Sequence, residues 1–200
     1  MDAAYRVFSE NGYANASLRE IARLCGVTHA TLLHHFPRKV ELLTATLAKR
    51  DAQFPQDLVS SELTTVLADM VAGARDNDGQ PGLVHTFTRV SAEAADPHHP
   101  AHAYFERRTL NFITMLSAPV QRALDDGSLT SDASAEEIAT NIMALWDGLQ
   151  LIAPLSPTPI SIADQLQIAF EALLGRPLDV PSAALPRHDL RSASEASTSA

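Results

Sequence analysis

Apolar positions recur along the chain at spacings of three and four, and no stretch sustains the strict alternation of a half-buried strand. Polar starts and Gly or Pro stops divide this pattern into nine predicted helices, at about 2–11, 17–24, 28–35, 38–52, 56–75, 81–95, 101–126, 134–153 and 161–174. The breaks fall at Gly12, Gly26, Pro37 and Pro55, and at "DNDGQPG" (76–82), "DPHHP" (96–100), "DDGSLTSD" (125–132) and "PLSPTP" (154–159). Pro119, inside the seventh helix, is expected to kink or split it. The chain therefore reads as all-α. A head of three short helices with the start of a fourth (1–50) precedes a six-helix body (51–175). From Arg176 the chain is rich in Pro, Ser and Ala with no apolar face, the composition of a disordered tail (176–200).

The densest punctuation lies in "SLREIARLCGVTHATLLHHFPRK", Ser17 to Lys39. Ser17 and Glu20 have the spacing of a capping box, which fixes where the second helix starts. Ile21 and Leu24 then face inward, and small Ala22 allows close helix approach. Gly26 stands where the chain must turn through a left-handed conformation, and Thr28 caps a third helix that buries Leu32 beside Phe36. Two short helices joined by a Gly-bearing turn form a helix-turn-helix, whose second member enters the major groove with its N-terminal residues against base edges. Thr28, His29, Ala30 and Thr31 occupy that end. Ser17, His34 and Lys39 lie where flanking phosphates would pass. A helical hairpin that merely packs is the alternative.

Charge sharpens the choice. The net charge is −9, but residues 1–50 hold seven basic residues (Arg6, Arg19, Arg23, Arg38, Lys39, Lys49, Arg50) against four acids, a balance of +3. The remainder carries −12, so a basic head sits on an acidic body, as expected when only the head meets phosphate. No apolar run approaches the roughly 20 residues of a membrane span, and the opening "MDAAYRVF" lacks the pattern of an export signal. The single cysteine, Cys25, excludes an internal disulfide, fits a reducing cytoplasm, and reads as a small buried filler.

Val7 to Leu43 resembles the N-terminal domain of the tetracycline-repressor (TetR) family of transcriptional regulators. The family's F-x-x-x-G-Y end to the first helix stands here as Phe8 to Tyr13, its I-A-x-x-x-G-V as Ile21, Ala22, Gly26 and Val27, and its H-F-x-x-K exit as His35, Phe36 and Lys39. The resemblance implies a nine-helix protein in which three helices bind DNA and the rest bind an effector and dimerise. Two departures stand out. Leu33 replaces the tyrosine usual two positions before His35, whose hydroxyl commonly meets a phosphate. The basic arm usual before the first helix would lie upstream of Met1.

In the body, Ile138, Ile142, Leu145, Leu149 and Ile152 form one seam, and Ile162, Leu166, Ala169, Phe170 and Leu173 another. Such seams suit a four-helix bundle across a two-fold axis, or burial within one subunit. Phe87, Tyr104, Phe105, Phe112, Met115, Met143 and Trp146 recur at helical spacing as plain core does. The resemblance makes Phe87, Tyr104, Phe112, Met115, Met143 and Trp146 an effector wall, with His85 and Arg108 as polar hooks. "DPHHPAHAYFE" gathers Asp96, His98, His99, His102 and Glu106, either a zinc site or a turn with Pro at a helix start. No Gly-x-Ser-x-Gly, His-Glu-x-x-His or phosphate-cradling Gly loop accompanies it. The reading that follows is a cytoplasmic, non-enzymatic homodimer without cofactor, metal or membrane attachment. It binds a pseudo-palindromic operator on double-stranded DNA as a ligand-responsive repressor, and a small apolar effector releases it. The alternatives are a ligand-sensing dimer acting through a protein partner, or a metal-binding protein built on the His cluster.

Overall fold

The computed structural model describes residues 2–51, 59–78 and 81–181, and among these every regular element is helical. The α-helices are α1 (Asp2–Asn15), α2 (Leu18–Leu24), α3 (His29–His35), α4 (Lys39–Asp51), α5 (Leu63–Asp78), α6 (Pro81–Glu93), α7 (His102–Asp125), α8 (Ala135–Ile152) and α9 (Ile162–Leu174). Their ends follow the local chemistry. Thr28 accepts the Thr31 N–H at 3.0 Å to start α3, and Ser161 accepts the Asp164 N–H at 3.1 Å to start α9. Ser17 accepts the Glu20 N–H at 3.4 Å, half of the expected capping box; the full reciprocal box forms on α8, between Ser134 and Glu137. α2 ends in a Schellman turn, with Val27 N–H on the Ala22 carbonyl and Gly26 at φ 70°.

Two expectations about boundaries change. α5 starts at Leu63, because 59–62 form a turn; 52–58, where its start was expected, lie outside the described residues. α7 runs through Pro119 unbroken, because Leu116, Pro119, Val120 and Ala123 are buried as one face and packing holds the helix.

The core has two parts. One lies among α5, α7, α8 and α9 and contains Val66, Leu67, Val71, Leu116, Ile142, Trp146, Leu166 and Phe170. The other joins the head to the body: Val7, Phe8, Ile21, Leu32, Leu42, Leu43 and Leu47 pack with Phe87 and Val90 of α6 and with Phe105 of α7. The head therefore closes only with help from α6, which lies along α1.

The seam read on α8 and α9 as a dimer interface packs in large part within this subunit. Ile138, Ile142, Leu149, Leu166 and Phe170 are buried in its core, and Leu145, Ile162 and Leu173 pack against that core. Exposed apolar side chains on these elements are Leu151, Ile152, Leu155 and Ile168, at 52%, 53%, 76% and 60%. By length and mean hydropathy of 1.2, residues 135–155 would suffice to cross a membrane, contrary to expectation. Their apolarity serves the core, where Ile138, Ala139, Ile142, Met143, Trp146 and Leu149 are buried. The first residues of the tail expected from Arg176 are packed on the body. Leu178 is 6% exposed and its N–H reaches the Glu171 carboxylate at 3.1 Å, while 182–200 lie outside the described residues.

Candidate nucleic-acid interface and ligand cavity

The turn at Gly26 and the cap at Thr28 set α3 across α2 with its first turn outward. Thr28, Ala30 and Thr31 are exposed and His29 is half-buried. The Thr28 and Thr31 hydroxyls bond each other at 2.8 Å, so the cap also orients Thr31. Ser17 and His34 are exposed on the flanks, and Leu33 is half-buried. Lys39 is not a free arm. Its ammonium donates to the Ala14 and Ala16 carbonyls at 2.9 and 3.1 Å and sits 4.8 Å from the Tyr13 ring centre. It ties the start of α4 to the link between α1 and α2.

Tyr13 is the hinge of a second clasp. Its N–H donates to Glu93 Oε2 at 3.2 Å, its ring meets His99 edge-on at 4.9 Å, and Arg89 reaches the Glu10 carbonyl at 3.2 Å. Burial raises the Tyr13 phenol above its ordinary range, against a smaller lowering by Arg38. Body and head are thus held together at the end of α1.

Met70, Arg108, Phe112, Leu116, Met143, Trp146 and Asp147 line a cavity of about 260 Å³, counting its open mouth. Arg108 and Asp51, the last residue of α4, form a buried ion pair, with Nε 3.0 Å from Oδ1 and 3.2 Å from Oδ2. The Tyr104 hydroxyl donates to the same carboxylate at 2.6 Å. The guanidinium lies 4.4 Å from the Phe87 ring centre and 4.6 Å from that of Phe112.

Residues 1–46 match the profile of bacterial regulatory proteins of the tetR family. The regulator BetI of Rhizobium meliloti is 28% identical over 169 residues, 81% of this chain and 79% of BetI. UidR of Escherichia coli K12 is 40% identical over 47 residues, 24% of each chain. The fold is that of FadR from Bacillus subtilis, solved with stearoyl-CoA: TM-score 0.72 at 16% identity, covering 86% of this chain and 95% of that one. The head, residues 1–46, is a tetR-type regulatory domain.

With this TetR head and helical body in place, the expected ligand wall divides. Arg108, Phe112, Met143 and Trp146 line the cavity, and Phe87 and Tyr104 brace Arg108 and its partner from behind. Met115 packs against the α8–α9 core instead, one position off the cavity-facing stripe. His85 lies on α6, but its side chain is outside the described residues. Sequence reasoning missed Met70, Leu116, Asp147 and Asp51. Only Asp147, an acid in an otherwise apolar run, carried a signal.

The His cluster forms a turn. Asp96 Oδ1 accepts the His98 N–H at 2.9 Å, which with the His98 ring lowers the Asp96 carboxyl below its ordinary range. His99 Nδ1 accepts the Ala101 N–H at 3.2 Å, and His102 Nδ1 lies 2.8 Å from the Ala94 carbonyl. Among the described residues no three metal-ligating groups converge. Cys25, expected in the interior, is exposed, because as the C-cap of α2 it faces out of the turn.

Proposed function

We propose that this protein is a dimeric repressor released from its operator when a small molecule enters the α5–α7–α8 cavity. The observation that carries the reading is the outward first turn of α3, with Thr28, His29, Ala30 and Thr31 as base-reading candidates on a basic head. Ser17 and His34 are the phosphate candidates beside it. The relatives' names as transcriptional regulators support the same conclusion and a non-enzymatic, cytoplasmic role. Two heads are needed to grip a two-fold operator. The outer stripe Leu151, Ile152, Leu155 and Ile168 offers an apolar surface for pairing that the buried seam does not.

DNA flanking the protein's own coding region is the probe. Anisotropy titrations at several salt concentrations should give tight binding whose logarithm falls linearly with log salt. His29→Ala should relax the preference for that fragment over random DNA. Salt-independent binding, or no preference that the His29 variant alters, sinks the reading. A second reading, action through a protein partner, draws on Leu33 in place of tyrosine and on the engaged Lys39, both of which remove phosphate contacts. It is favoured if the dimer binds small molecules but no DNA.

A further inference from the structure

Arg108 is the unusual residue of the cavity wall. Its side chain is 5% exposed, and a buried cation is tolerated only when paired and hydrogen-bonded. Asp51 does the pairing, but through one edge only: both of its oxygens take the Nε–H. The Phe87 and Phe112 rings lie against the guanidinium, their centres 4.4 and 4.6 Å from its central carbon. A guanidinium carries five N–H groups in a flat fork, four of them on its terminal nitrogens. Among the described residues, only the Nε–H has an acceptor. With the Nε edge occupied and two rings against the group, what remains is the terminal end of the fork, on a side chain that itself lines the cavity.

We propose that the ligand is a small organic acid. Its carboxylate takes the terminal N–H fork of Arg108, and its apolar body lies among Met70, Phe112, Leu116, Met143 and Trp146. A planar carboxylate matches that fork with two parallel hydrogen bonds, a match that an amide, alcohol or amine cannot make. A neutral ligand closing the cavity would leave buried N–H groups without acceptors. A cationic one would meet the guanidinium directly. Asp147 is the other charged residue on the wall.

Asp51 makes the site a competition. A second carboxylate on the same guanidinium repels the first, so acid binding weakens the tie between α4 and α7, and that tie weakens acid binding to the same extent. This consequence for DNA rests on the repressor reading; the binding itself does not.

Trp146 is the sole tryptophan of the chain and lines the cavity, so its emission reports occupancy. The full-length protein is titrated with 3-phenylpropionate and octanoate, with the amide of each, and with phenethylammonium. At least one acid should give a saturable change and bind ten-fold or more tighter than its amide. Arg108→Gln should erase that difference, and Arg108→Lys should keep part of it. Asp51→Asn should tighten acid binding several-fold, a gain that a misfolded variant cannot produce. The proposal is overturned if amide and acid bind alike, if phenethylammonium binds tighter, if neither acid saturates at millimolar concentration, or if Asp51→Asn weakens the acid. DNA binding is read separately by anisotropy. Its absence overturns the repressor reading and leaves the acid site standing, whereas an acid that binds without weakening an observed DNA complex refutes its role as effector.

Discussion

Gly12 and Gly26 share a left-handed backbone, φ 71° and φ 70°, yet alanine should fail at them for different reasons. A Cβ on Gly26 meets nothing within 4 Å, so Gly26→Ala costs only the backbone strain of about 1 kcal/mol. A Cβ on Gly12 would stand 2.6 Å from Glu93 Oε1 and 2.9 Å from Arg89 Nε, the pair that clasps α1. Gly12→Ala therefore adds the loss of that clasp and should cost about 2–3 kcal/mol. Urea melts of the two variants decide it: equal losses would mean that the clasp contributes nothing. Such caps and turns were legible in the sequence because each depends on neighbours within a few residues. The two carbonyls that Lys39 holds were not legible in the sequence, because they lie 23 and 25 residues away and spacing along the chain says nothing about them.

A helix's ends depend on local chemistry, whereas the neighbour that covers its face depends on the whole fold. That is why the boundaries of α8 and α9 were readable and their partner was not: the alternating three–four seam marks an apolar face without saying whether a twin or the same subunit buries it. The start of α8 offers a test at this scale. The Ser134 hydroxyl, then its N–H, hold the Glu137 carboxyl below its ordinary range. A carboxyl depressed in the folded state contributes stability above its unfolded value, and that contribution is lost as pH falls through the folded value. Ser134→Ala should raise the Glu137 titration toward the ordinary range, followed by NMR, and shift acid unfolding to higher pH. An unchanged Glu137 titration would deny the box its role. The strut at the start of α4 makes the contrasting case. Lys39→Ala should lower stability by about 1 kcal/mol through two lost hydrogen bonds, yet leave the salt slope of DNA binding intact. A slope smaller by about one would instead reveal a phosphate contact.

At the scale of the molecule, the head owns only part of its core. Phe87 is 3% exposed, meets the Phe105 ring at 5.5 Å with a tilt of 55°, and lies in the same cluster as Phe8, Leu43 and Leu47. It also backs the guanidinium of Arg108, so one side chain touches both the floor of the head and the polar end of the cavity. The sequence divides the chain at residue 50, where charge changes sign, because charge reports the surface; the shared apolar interior leaves no such mark. Removing the Phe87 ring deletes contacts on both sides and leaves a void between them, a change of about 3–5 kcal/mol for a buried aromatic. If head and body are one cooperative unit, Phe87→Ala lowers a single unfolding transition, and hydrogen exchange speeds up in α1 and α4 as much as in α6. If the head holds itself together, exchange in α1 and α4 stays slow while α6 alone loosens. The first outcome is the one the packing demands, since Val7, Phe8 and Leu47 are fully buried in one cluster with Phe87 and Val90 of α6.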